Sequence, residues 1–138
     1  MTTPTARAVA THHRSADPGT VRGGVRTILR AEGLPIFIAG AVAYGTLGGP
    51  WLAFVPLLLV PDLSMVGYLR DTRLGSLTYN LAHNLVTVSA LLGLGLWLGI
   101  GWVAIAGSVA VAHVGMDRLA GYGLKYPTTF GDTHLQRV

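Results

Sequence analysis

Cysteine is absent from the chain, which excludes disulfides, thiolate nucleophiles and Cys-ligated metals. Charge is scarce: 12% of residues are Asp, Glu, Lys or Arg, about half the ~25% of a typical soluble domain. Polar helix faces are missing too, because the apolar residues run in long blocks rather than amphipathic stripes. Such blocks suit a bilayer better than a water-facing core. The formal net charge of +4 comes without a basic stripe interleaved with aromatics, so nucleic acid is not an expected partner. No early apolar core is present, so no cleaved signal peptide is expected.

What remains reads as one unit of 138 residues. Residues 1–21 are small, polar and aperiodic, the composition of a disordered tail, and His12 and His13 there read as a solvated pair. Residues 22–138 are expected to form a single membrane domain of four spans: Leu34–Gly49, Trp51–Leu69, Gly75–Trp97 and Trp102–Leu119. Each approaches the ~20 residues of a bilayer crossing. Gly48-Gly49-Pro50 and Gly99 to Gly101 are turn signals. Arg22, Arg26 and Arg30, then Arg70 and Arg73, then Arg118, Lys125 and Arg137 fall on one side, while the two opposite connections carry no charge. The positive-inside rule therefore places both termini in the cytoplasm of a multi-pass protein. Trp51, Trp97 and Trp102 flank the charge-free turns as an interfacial aromatic belt.

Depth then sorts the polar residues. Asp62 lies eight residues before Arg70, about 12 Å along a helix, and His83 ten residues after Arg73, about 15 Å. His113 and Asp117 approach the same end of the fourth span, and Glu32 stands at the mouth of the first. Tyr79 with His83, Asn80 with Asn84, and His113 with Asp117 are i,i+4 pairs, one helical turn apart. Ionisable groups at membrane depth cost several kcal/mol on insertion scales, so they should face the bundle interior and find partners. Each has a plainer reading. Glu32 suits an interfacial ion pair, Asp62 a helix cap after Pro61, and His83 with its two asparagines interhelical hydrogen bonding. The outer half holds little that is polar beyond residues such as Tyr44, Thr46 and Ser108, which weakens a transport path. The tail after Gly121 is rich in glycine and aromatics and is expected to fold over the cytoplasmic mouth as a compact cap, carrying Lys125, Tyr126, Asp132 and His134.

The phrases RAEGL (30–34), PDLSMVGYL (61–69), YNLAHN (79–84) and HVGMDRLAGYGLKYPTTFGDTHL (113–135) resemble a bacterial family of short inner-membrane proteins, domain of unknown function 4260. The resemblance runs from about residue 28 to the C-terminus. It implies hallmark residues at Glu32, Asp62, His83, His113, Asp117, Lys125, Asp132 and His134, and a bacterial inner-membrane location. It implies no reaction.

The expectation is an all-α, four-transmembrane-helix bundle acting as an integral membrane enzyme, with a carboxylate/histidine site in the cytoplasmic leaflet and a lipophilic substrate. Asp62, His83, His113 and Asp117 are the candidate catalytic groups. With Glu32 they are also candidate ligands of a divalent metal, iron, zinc or manganese. Tyr79, Asn80, Arg118, Lys125 and Tyr126 are candidate substrate contacts, and Asn84, Asp132 and His134 candidate supports. The alternatives are a metal-free, acid-initiated isoprenoid-type cyclase, a proton-coupled carrier, or a non-catalytic scaffold. Gly93, Gly95 and Gly99 would let helices approach within or between chains, so a homo-oligomer is an expected arrangement.

Overall fold

The computed structural model describes residues 23–137. The expected tail 1–21, its two histidines and Arg22 lie outside that range. The described residues form six α-helices: α1 (Gly24–Ala31), α2 (Gly33–Thr46), α3 (Trp51–Leu58), α4 (Thr72–His83), α5 (Leu85–Trp97) and α6 (Gly101–Ala120). A 3₁₀ segment, Pro61–Leu69, follows α3. Glu32 keeps helical backbone angles between α1 and α2. Three stretches, Gly24–Thr46, Trp51–Leu69 and Gly101–Ala120, are long and apolar enough to cross a bilayer. Large apolar side chains such as Leu52, Val55, Leu63, Leu69, Val86 and Trp97 point outward. This is the inside-out pattern of a membrane protein.

The expected third span, Gly75 to Trp97, differs from a continuous helix. Asn84 takes extended angles (φ −93°, ψ 142°) and ends α4. Its side-chain oxygen accepts the Thr87 N–H at 2.8 Å, the N-cap contact that starts α5. The 13 residues of α5 reach about 20 Å, short of a full crossing. The second stretch is also interrupted: α3 stops at Leu58 and the chain tightens toward Pro61. Both breaks fall at the same end of the molecule.

Helix α6 is the central post, with α2 and α5 packed against it along their lengths and α3 leaning on one side. Small residues make this possible. A methyl group at Gly40 would lie 2.7 Å from the Ser108 carbonyl oxygen, and one at Gly107 would lie 2.5 Å from the Leu92 backbone. Gly95 similarly abuts the Ala104 backbone, whereas Gly93 faces open space and Gly99 sits in a turn at φ 67°. Tyr44, Phe54, Leu58, Val109 and Ala112 form one buried core cluster. Helix α4 packs chiefly on the 3₁₀ segment.

The C-terminal segment after Gly121 packs back on α4 and the end of α6. Asn80 holds it by two bonds to the Lys125 backbone, donating to its carbonyl (2.9 Å) and accepting its N–H (2.7 Å). Thr72 donates to the Pro127 carbonyl at 3.0 Å. Within the segment, Thr133 and Leu135 are buried.

Substituting Gly40 by Val is expected to destabilise the bundle by about 1–3 kcal/mol through overpacking. Gly93→Ala is expected to be neutral or stabilising by up to ~1 kcal/mol. Denaturant titration in detergent micelles compares the two, and equal effects would contradict this packing.

Candidate metal centre

Four side chains from the two helix breaks and the central post meet in one place. Asp62 opens the 3₁₀ segment, His83 ends α4, and His113 and Asp117 lie one turn apart on α6. One ligand atom from each lies within 4.8 Å of the others. His83 Nε2 and His113 Nε2 are 2.9 Å apart. Asp62 Oδ1 is 3.5 Å from the first and 3.6 Å from the second. Asp117 Oδ2 is 3.8 Å and 3.5 Å from the same two atoms. Four ligands at 2.0–2.2 Å from a tetrahedral ion stand roughly 3.3–3.6 Å from one another; the two Asp62 separations and the Asp117–His113 one fall in that range, the imidazole pair is closer and Asp117–His83 slightly wider.

The histidine tautomers follow from their partners. His113 Nδ1 lies 2.5 Å from the Leu58 carbonyl oxygen and His83 Nδ1 lies 2.9 Å from the Tyr79 carbonyl oxygen. A carbonyl only accepts, so each Nδ1 carries a proton and donates it. In the neutral rings both Nε2 atoms are then bare lone pairs. They face each other and two carboxylate oxygens, four acceptors with no hydrogen between any two of them, and the Tyr79 hydroxyl donates to Asp117 Oδ2 from outside. Only a cation, a metal or added protons, makes that arrangement favourable inside a low-dielectric bundle. Backbone carbonyls bonded to the far nitrogen are also the usual support of a metal-bound imidazole.

The sequence supplies the Leu58 carbonyl through Pro61. Leu59 N–H donates to Pro56 and Val60 N–H to Leu57. The next bond in that i→i−3 series would run from residue 61 to Leu58, but proline has no N–H. The carbonyl left over is taken by His113. Tyr79 supports the other side: its hydroxyl donates to Asp117 Oδ2 at 2.9 Å and its ring stacks on His83 at 3.7 Å. The Asp62 side chain, about one-third exposed, has no hydrogen-bond donor among the described residues and meets only the two Nε2 atoms. His113, by contrast, is fully buried.

The remaining candidates lie around this tetrad or away from it. Glu32 is exposed at the α1–α2 junction and is not part of the group. Asn80 and Asn84 spend their amides on the C-terminal segment and the α5 cap. The Lys125 ammonium donates to the Phe130 carbonyl at 3.0 Å and lies over the Phe130, Tyr79 and Tyr68 rings at 3.6, 4.6 and 5.3 Å. Burial lowers its pKa, while the Asp117 and Asp62 carboxylates pull the other way. Arg118 and His134 line a water-sized polar chamber of about 10 Å³ against Tyr79, His83 and Asp117. Tyr126 carries the Arg137 guanidinium 3.9 Å above its ring. Arg137 and Thr128 bind Asp132 and hold its carboxyl at about 2, so Asp132 braces the segment rather than joining the tetrad. Two features escaped sequence reasoning: the Leu58 carbonyl, signalled only by a proline three residues on, and the Tyr68–Phe130 enclosure of Lys125.

A family model described as Domain of unknown function (DUF4260) matches residues 26–138. No curated protein and no solved structure matches the chain.

His134 offers a pH test. Its Nδ1 accepts the Leu124 N–H at 2.8 Å, which requires the neutral ring, and burial, with Arg118 adding to it, lowers its pKa. The unfolded imidazole takes its proton near ~6.5. The contribution to stability is therefore full above that value and is lost as pH falls below it. Hydrogen exchange at the Leu124 amide, corrected for its intrinsic rate, should quicken as pH drops from 7.5 to 5. In His134→Ala it should be fast and flat, and a flat profile in the wild type would contradict the assignment.

Proposed function

The chain belongs to the family described as Domain of unknown function (DUF4260), and we propose that it is an integral membrane enzyme whose tetrad binds one divalent metal and acts on a lipophilic substrate. The observation that carries this reading is the pair of carbonyl-anchored histidines presenting bare Nε2 atoms to each other and to two carboxylates. Two partly buried anions in a bilayer are costly when unpaired, and one divalent ion neutralises both. Two imidazoles and two carboxylates near tetrahedral spacing suit zinc first, with iron and manganese as the other metals this donor set takes.

The ligands divide by how firmly they are held. His83, His113 and Asp117 each have a second bond that fixes their orientation. Asp62 has none from a described group, and it is the most exposed of the four. The first three would hold the metal most firmly. Asp62 would be the least constrained ligand, and its carboxylate could hold or release a proton. When bound, the metal supplies Lewis acidity and lowers the pKa of a coordinated water toward ~7. Tyr79 keeps Asp117 aimed, and the small chamber beside Arg118 and His134 has the size for a single water. Arg26, Arg30, Arg70, Arg73 and Arg118 flank the span ends opposite the two charge-free turns, which supports a cytoplasmic-leaflet site in a bacterial inner membrane with both termini inside.

One distance favours a second reading. The 2.9 Å between the Nε2 atoms is the length of an N–H···N hydrogen bond, shorter than a tetrahedral edge. A proton held there would make the pair the acid of a metal-free cyclase.

Elemental analysis of protein purified without chelator separates the two. About one zinc, iron or manganese per chain is expected, lost in His113→Ala and in Asp117→Asn and largely retained in Asp62→Asn. Tyr79→Phe should weaken the metal roughly 10- to 100-fold, as loss of a supporting contact does. Protein that is metal-free as purified and binds none of the three at micromolar concentrations would overturn the metal reading and leave the imidazole pair as the acid.

A further inference from the structure

Beside the tetrad lies an apolar cavity of about 380 Å³, a volume at the lower end of small-molecule sites. It is the cleft between α3 and α5, both of which pack on α6 and little on each other. Thr87 is the one residue of its lining with a hydroxyl. Pro61 and Ala82 form its inner end, and the residues that follow them in the chain are Asp62 and His83. The cavity and the tetrad therefore share a wall.

The α6 side shows this continuity most directly. Its lining residues are Trp102, Ile105, Ala106, Val109 and Ala110, spaced i, i+3, i+4, i+7 and i+8, which is a single helix face. The next positions on that face are His113 and Asp117. One stripe thus passes from apolar lining to metal ligands without turning away. From Trp102 to His113 it spans about 16 Å at 1.5 Å per residue. That is about half of the ~30 Å hydrocarbon core, the depth that one lipid chain covers.

We propose that this cavity is the substrate's chain site: it takes the single hydrocarbon chain of an amphiphile whose oxygen-bearing head group sits at the tetrad. This rests on the metal-site reading for the head group and adds the chain, its direction and its entrance. The tail end lies toward Trp102, and the chain enters sideways from the bilayer between α3 and α5. Ala82, Ala106 and Ala110 leave the space that the chain fills, so a ring at position 106 would close it.

The test uses zinc-loaded protein in phosphatidylcholine nanodiscs and long-chain fatty acids carrying a diazirine at either the methyl end or the carboxyl third. Peptide mapping after photolysis should place the methyl-end label near Trp102 to Ala106 and the carboxyl-third label near Val109 and Ala110. Unlabelled fatty acid should compete for both. Ala106→Phe should lower the labelling at least fivefold with zinc content unchanged. Where that variant does not assemble, Leu91→Trp closes the cleft from the α5 wall and carries the same expectation. Labelling spread over the outward faces of α2 and α3, without competition and indifferent to both variants, would overturn the chain site. Zinc content is read in the same samples: register-specific labelling of protein that binds no zinc would keep the chain site and sink the metal reading, and the converse result would do the opposite.

Discussion

Two hydrogen bonds from imidazole to backbone organise this molecule. They run from His113 Nδ1–H to the Leu58 carbonyl and from His83 Nδ1–H to the Tyr79 carbonyl. Each fixes a ring's rotation and tautomer together, so the far nitrogen is aimed and unprotonated. Without them the four polar residues would be buried groups in need of neutralisation. With them they form a shaped donor set. The first bond also ties the central helix to the end of α3, whereas the second lies within α4.

One helix break serves the first of these bonds, because a carbonyl without its helical N–H partner is left for a side chain. Pro61 withholds the N–H that Leu58 would otherwise receive, and the chain tightens into a 3₁₀ segment there. Asn84 stops α4 directly after His83 and caps the next helix. Irregular backbone at membrane depth is tolerated where it is buried in protein or lines a cavity, and both conditions hold here. The broken helices also leave α3 and α5 apart, so the interruption that builds the tetrad opens the apolar cleft beside it. On one face the tetrad meets a greasy pocket and on the other a water-sized polar chamber.

Much of this was legible in the sequence because charge is so rare in it. Counting residues from the arginine-bearing loops gives depth, and depth brought Asp62, His83, His113 and Asp117 to one level. It does not give azimuth, so Glu32 looked like a fifth member, although it is exposed at a helix junction. Periodicity also misjudged Asn80 and Asn84. An i,i+4 pair suggests one polar face, but one amide clamps the Lys125 backbone and the other ends the helix. Lys125, a candidate substrate contact from the sequence, lies among three aromatic rings that spacing alone did not foretell. The cleft was invisible for a simpler reason: alanine and valine that line a cavity cannot be told from those that face lipid.

Nitrogen-15 spectroscopy of the histidines in the folded, membrane-embedded protein tests the account at its centre. His83 and His113 should both appear as Nδ1–H tautomers, and zinc should move both Nε2 resonances while leaving Nδ1 protonated. Protons found on Nε2, or Nε2 signals indifferent to every metal supplied, would contradict it.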